Sequence, residues 1–152
     1  GGNPIGCEKP GWEFNFGNDV EAANTVLHCG GDIWMIPNNV YGTMHIGFGE
    51  IQRRIAPYGE IGRLLYENLI SFYETENASW SAGESWSLGD SPAVGVTLEP
   101  NCGSFMYCKA PEVQEDTSYR YPENSPQIRV YTSINSRFII EDFISKLQIL
   151  YG

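Results

Sequence analysis

Residues Pro57 to Glu74, PYGEIGRLLYENLISFYE, carry the longest run of helical periodicity in the chain and constrain its fold more than any other stretch. Ile61, Leu64, Leu65, Leu69 and Phe72 recur at helical spacing and so share one stripe. Arg63 and Glu67 lie one turn apart with opposite charges, which suits a face turned to water. A stripe of this kind needs a sheet to cover, and it places the helix at the centre of the expected fold.

The 152 residues are read as one domain, 1–152, long enough to fold without staples. With 17 Gly, 9 Pro, 13% aromatic and only 18% charged residues, the composition favours a compact, turn-rich domain. A formal net charge of −10 argues against nucleic acid and against anionic membrane surfaces, both of which draw their affinity from clustered Lys and Arg. No apolar run is long enough to span a bilayer, and GGNPIG at the N-terminus has neither region of a signal peptide, so a soluble and already processed chain is expected.

Cys7, Cys29, Cys102 and Cys108 show no CxxC spacing, and with only two histidines available neither a metal site nor a cofactor is expected. An even cysteine count in an acidic, Gly- and aromatic-rich chain points to two disulfides in a secreted, extracellular protein, and the sequon Asn77-Ala78-Ser79 suits glycosylation there. Four free thiols in a cytosolic protein are the plainer alternative. If Gly103–Cys108 is a strand, Cys102 and Cys108 stand too far apart to bond, so Cys7 and Cys29 are each expected to join one of them, Cys7 with Cys102 and Cys29 with Cys108 being the favoured of the two pairings.

The remaining elements follow from local pattern. Trp12, Phe14 and Phe16 alternate like a short strand. Asn18 or Asp19 caps a helix running to Cys29, stopped by Gly30-Gly31. Asp32–Pro37 and Val40–Phe48 read as a hairpin about Asn38-Asn39, and Pro57 separates IQRRIA from the main helix. The Ser-, Gly- and Trp-rich stretch 75–98 suggests two or three short strands with tight turns. Gly103–Cys108 and Gln127–Ser133 read as strands, and the latter alternates Ile128, Val130 and Thr132 against Arg129 and Tyr131. The polar loop 109–126 between them is longer than a compact domain needs without a purpose. Asn135 or Ser136 caps a last helix with a stripe of Ile140, Phe143, Ile144 and Leu147. The sum is an α+β fold, a largely antiparallel sheet packed against the central helix and two further helices, held by disulfides.

Catalytic candidates are sparse. His45, Glu50, Arg53 and Arg54, with Tyr41 and Tyr58 nearby, form a His, carboxylate and cation set suited to acid/base attack on a phosphodiester. The set resembles that of small secreted ribonucleases, although a second catalytic histidine has no counterpart. Carboxylate pairs for glycoside hydrolysis can be drawn from Glu50, Glu60, Glu84, Asp90 and Glu99, and nothing in the sequence chooses among them. Aromatic content is the more distinctive signal. Trp80 and Trp86, then Tyr119 and Tyr121 in the long loop, offer flat apolar area with polar edges, suited to a sugar ring or an extracellular protein partner, or simply to a core. The expectation is an effector- or toxin-like binding protein; the rival is a small extracellular hydrolase acting on glycan or RNA.

Overall fold

The computed structural model describes residues 1–81 and 83–152. In chain order its elements are α1 (Phe14–Gly17), α2 (Val20–Leu27), β1 (Trp34–Met35), α3 (Asn38–Tyr41), β2 (His45–Gly47), α4 (Phe48–Arg54), α5 (Gly59–Tyr73), a 3-10 turn (Glu76–Ala78), β3 (Ser85–Ser87), α6 (Ser91–Leu98), β4 (Gly103–Lys109), β5 (Glu112–Val113), β6 (Tyr119–Arg120), β7 (Gln127–Ile134) and α7 (Ser136–Tyr151).

The main sheet has three strands in the order β1-β7-β4, with β1 parallel and β4 antiparallel to the central β7. Two antiparallel ribbons, β2-β3 and β5-β6, stand apart from it. β7 is covered on both faces. Ile128 and Val130 pack with Leu27, Met35, Ala110 and Val113, whereas Tyr131 turns the other way to join Ile36, Val40, Met44 and Ile139. A third cluster gathers Ile46, Ile51 and Ile55 around Ile144 and Leu147 of α7. Gly95 allows α6 to seat directly on α7, since a Cβ there would lie 2.6 Å from the Ile139 side chain.

Several expectations are corrected. The sheet is mixed and small, and the fold contains no disulfide: all four cysteines are free. Cys102 is buried in the Tyr131 cluster and Cys108 packs against the Val130 cluster, so these thiols serve as small apolar side chains in separate parts of the core. Burial pushes the thiol pKa of each upward. Cys7 and Cys29 are exposed, and the pairings Cys7 with Cys102 and Cys29 with Cys108 do not form.

The helix 59–73 is present but peripheral, with Gly62 its only buried residue. The expected hairpin at 32–48 is absent, because β1 pairs in parallel with β7 and β2 pairs with β3. Between them Asn38–Tyr41 winds into α3. Residues 14–17 form a helical turn rather than a strand, and Ser91–Leu98, part of the Ser-, Gly- and Trp-rich stretch read as short strands, is a helix with Pro in its first turn.

Candidate functional site

Among the described residues three polar ones are buried: Asn3, Glu13 and Thr117, at 3%, 2% and 1% exposure. They belong to one network, and an enclosed carboxylate demands an explanation because burial disfavours its charge. Glu13 caps α1, with Oε2 accepting the Phe16 N–H at 2.9 Å. Its Oε1 accepts the Tyr41 hydroxyl at 2.8 Å and the Asn15 amide at 2.9 Å. Burial by itself would push the Glu13 pKa up, but hydrogen bonds from Phe16 N–H, Tyr41, Asn15 and Gly2 N–H outweigh it and hold the carboxyl below its ordinary 4.5. The stability contributed by this ionised state is complete above that ordinary value and is lost as pH falls through the lower folded one. The same carboxylate, with desolvation as the larger cause, pushes the Tyr41 phenol well above its usual range.

Around this anchor the chain brings together segments far apart in sequence. Asn3 Nδ2 donates to Gly11 O at 3.0 Å and Thr117 O at 3.1 Å, and its Oδ1 accepts from Asn38 Nδ2 at 3.2 Å. The Tyr119 hydroxyl donates to Asn3 O at 3.0 Å. Gly2, at φ +88°, allows this convergence: a Cβ there would lie within 2.6 Å of the Phe16 ring, the Tyr119 hydroxyl and Met35 Cε.

The network opens on a cavity of about 150 Å³ lined by Gly1, Asn15, Ile36, Tyr41, Gly89, Asp90 and Ala93. Asp90 stands at the start of α6 with no side-chain capping bond. Asn15 and Tyr41, both fixed by Glu13, line this space together with Asp90 and the Gly1 amino group, which donates to Ile36 O at 3.0 Å, an arrangement suited to a neutral ligand rich in hydroxyl groups. A wider groove of about 770 Å³ between α2 and the β5-β6 ribbon is open, and several of its polar side chains are bonded within the protein. Asn24 bonds both the N–H and C=O of Val113, Glu112 holds Arg120, and His28 Nδ1 lies 3.0 Å from Asn24 O. Among the described residues no group of three or more His, Cys, Asp and Glu side chains could hold a metal ion.

Of the residues singled out from sequence, Tyr41, Asp90 and Tyr119 fall at this site and the others lie elsewhere. His45 is exposed, its Nδ1 3.3 Å from Ser85 Oγ. Glu50 is bound to Arg54 at 2.6 Å, and Arg54 also forks onto Glu141, while Arg53 faces solvent. Trp80 is 63% exposed and stacks on Trp86 at 5.1 Å, and Trp86 continues into Phe72 and Tyr73. Asn77 is exposed in the 3-10 turn. Tyr121 is exposed and accepts from Gly6 N–H at 3.4 Å; of the four aromatics expected to bind a partner, Tyr119 reaches the polar network. Asn3, Glu13, Asn15 and Thr117 were missed. The available signal was a carboxylate and an amide alternating with aromatics in WEFNF, which an alternation rule reads as the outward face of a strand.

No family model matches the chain, and no curated protein matches it in sequence. Solved structures do match it. A plant nucleoside hydrolase superposes with a TM-score of 0.75 at 16% identity, covering 92% of this chain and 48% of that one. The purine-preferring ribonucleoside hydrolase from Gardnerella vaginalis gives 0.70 at 18% identity, covering 94% and 48%. The cysteines are unpaired and these neighbours are hydrolases rather than effectors, so the reading as a disulfide-stabilised, effector-like binding protein is overturned. The likeness is one of fold: over nearly all of its length this chain is folded like about half of a nucleoside hydrolase.

Proposed function

We propose that this chain supplies the sugar-binding side of a ribonucleoside hydrolase site centred on Glu13. The observation that carries the reading is the buried, ionised Glu13 carboxylate, which holds Asn15 and Tyr41 against a cavity shared with Asp90. At about 150 Å³ the cavity is smaller than the roughly 300 Å³ and more of a drug-sized site, which suits a sugar ring with the base left outside. Trp12 and Phe14, exposed on either side of Glu13 in sequence and edge to face at 6.2 Å, offer aromatic surface for that base.

In the reaction the C1′–N bond breaks and its electrons leave with the base, a water oxygen bonds to C1′, and the proton released by that water returns to the base. Positive charge gathers on the ribosyl ring in the transition state. The fixed charge of Glu13 and the carboxylate of Asp90 would stabilise it, while Asn15 and Tyr41 bond the sugar hydroxyls. Neighbours of twice the length leave room for further groups, so binding is the first test. Calorimetry with inosine should show binding that hypoxanthine alone does not reproduce, weakened about tenfold or more in Asn15→Ala, an exposed change that leaves the core intact, and in Glu13→Gln. No binding of inosine by the wild-type chain would overturn the reading.

A further inference from the structure

We infer that Thr117 is a positioning residue for this site, its hydroxyl setting where the Glu13 carboxylate stands. The inference rests on the reading of Glu13 as the anchor of a ribonucleoside site and deepens it. Thr117 lies in the turn joining β5 to β6, where Thr117 N–H donates to Gln114 O at 2.8 Å and Gln114 N–H to Ser118 O at 2.9 Å. It is the one non-glycine residue with positive φ among those described, at +63°. A β-branched residue is rarely found there, and nothing in the turn requires a threonine: glycine would adopt the same conformation without strain. What the threonine adds is its hydroxyl.

That hydroxyl is fully used. Oγ1 accepts the Glu13 N–H at 2.9 Å and Asn3 Nδ2 at 3.3 Å, and donates to Gly11 O at 3.2 Å, which is the whole capacity of a hydroxyl. The Thr117 carbonyl takes a second bond from Asn3 Nδ2 at 3.1 Å. One buried side chain therefore bonds both segments that flank the site, across 104 and 114 residues of chain. Glu13 then transmits the constraint, its backbone held by Thr117 and its carboxylate holding Asn15 and Tyr41. A strained conformation maintained by such a set of bonds is typical of residues that pre-organise a site.

Three variants test it. Thr117→Ser keeps the hydroxyl, Thr117→Val keeps the shape without it, and Thr117→Gly removes it while relieving the backbone, so the glycine variant remains informative if the valine one does not fold. The ligand-free readout is the titration of the Glu13 carboxyl carbon by NMR. Its midpoint should stay at the wild-type position in the serine variant and move upward in the glycine and valine variants, as the carboxylate loses its fixed donors while remaining enclosed. The second readout is inosine affinity, expected within about twofold of wild type for serine and weakened about tenfold for glycine. If wild-type protein fails to bind inosine, the functional reading falls and the Glu13 titration alone decides the role of Thr117. A glycine variant with an unchanged Glu13 titration overturns the inference, whatever its melting temperature.

Discussion

Helices α5 and α7 look alike in sequence and are used in opposite ways. Each has a regular apolar stripe, and they run 15 and 16 residues. α7 buries Ile139, Ile144 and Leu147 and ties the Tyr131 cluster to the Ile46 cluster. α5 leaves Ile61, Leu64, Leu65 and Phe72 between 39% and 48% exposed. It docks through a row that shares Leu69 with that stripe but runs through Gly62 and Tyr66, with Gly62 buried and Tyr66 and Leu69 packed on the third cluster. The row is chosen by closeness of approach: at Gly62 a Cβ would lie 2.1 Å from Ile55 O, so the helix start presses on the α4 exit where a side chain cannot fit. An apolar stripe shows that a helix can be buried on one side; the neighbour that presses closest decides which side is.

The contrast can be broken most decisively in α7. Ile144→Ala, at a side chain with 0% exposure, should cost about 2 to 5 kcal/mol in urea unfolding, the usual range for truncation in a packed core. A loss near zero would mean that the third cluster does not depend on α7. In α5 the sensitive position should be the glycine. Gly62→Ala should cost about 1 to 3 kcal/mol by overpacking, although alanine is the better helix former, and a stabilised variant would show that α5 is not seated on Ile55. Leu65→Ala should have the smallest effect, within about 1 kcal/mol of wild type in the same experiment. A loss as large as that of Ile144→Ala would show the leucine face to be covered in solution.

Legibility from sequence followed the range of the forces involved. α7, capped by Asn135 Oδ1 to Phe138 N–H at 3.0 Å, and α2, capped by Asp19 Oδ1 to Ala22 N–H at 2.8 Å, were readable because cap and stripe lie within one segment. β4 and β7 were readable as strands, β7 from its alternation, but the parallel placement of Trp34–Met35 beside Arg129 and Val130 was not, since so short a strand has no partner until the chain returns 95 residues later. The long loop 109–126 was noted as too long to be idle, and it holds the β5-β6 ribbon, Thr117 and Tyr119. What it served stayed hidden because its partners, Asn3 and Glu13, lie at the other end of the chain.

The sequence by itself determined the helices α2, α5 and α7, the two longer strands and the acidic balance of charge, because each depends on residues within a few positions or on composition alone. Only the tertiary structure decided that the cysteines stay free, that Trp86 packs against Phe72 while Trp80 stacks outside it, and that Glu13 rather than His45 or Glu50 is the carboxylate to be explained. Each of those outcomes depends on which distant segment arrives alongside. A carboxylate becomes functional matter once Tyr41, Asn15 and Thr117 have enclosed and bonded it, and no local pattern records that enclosure.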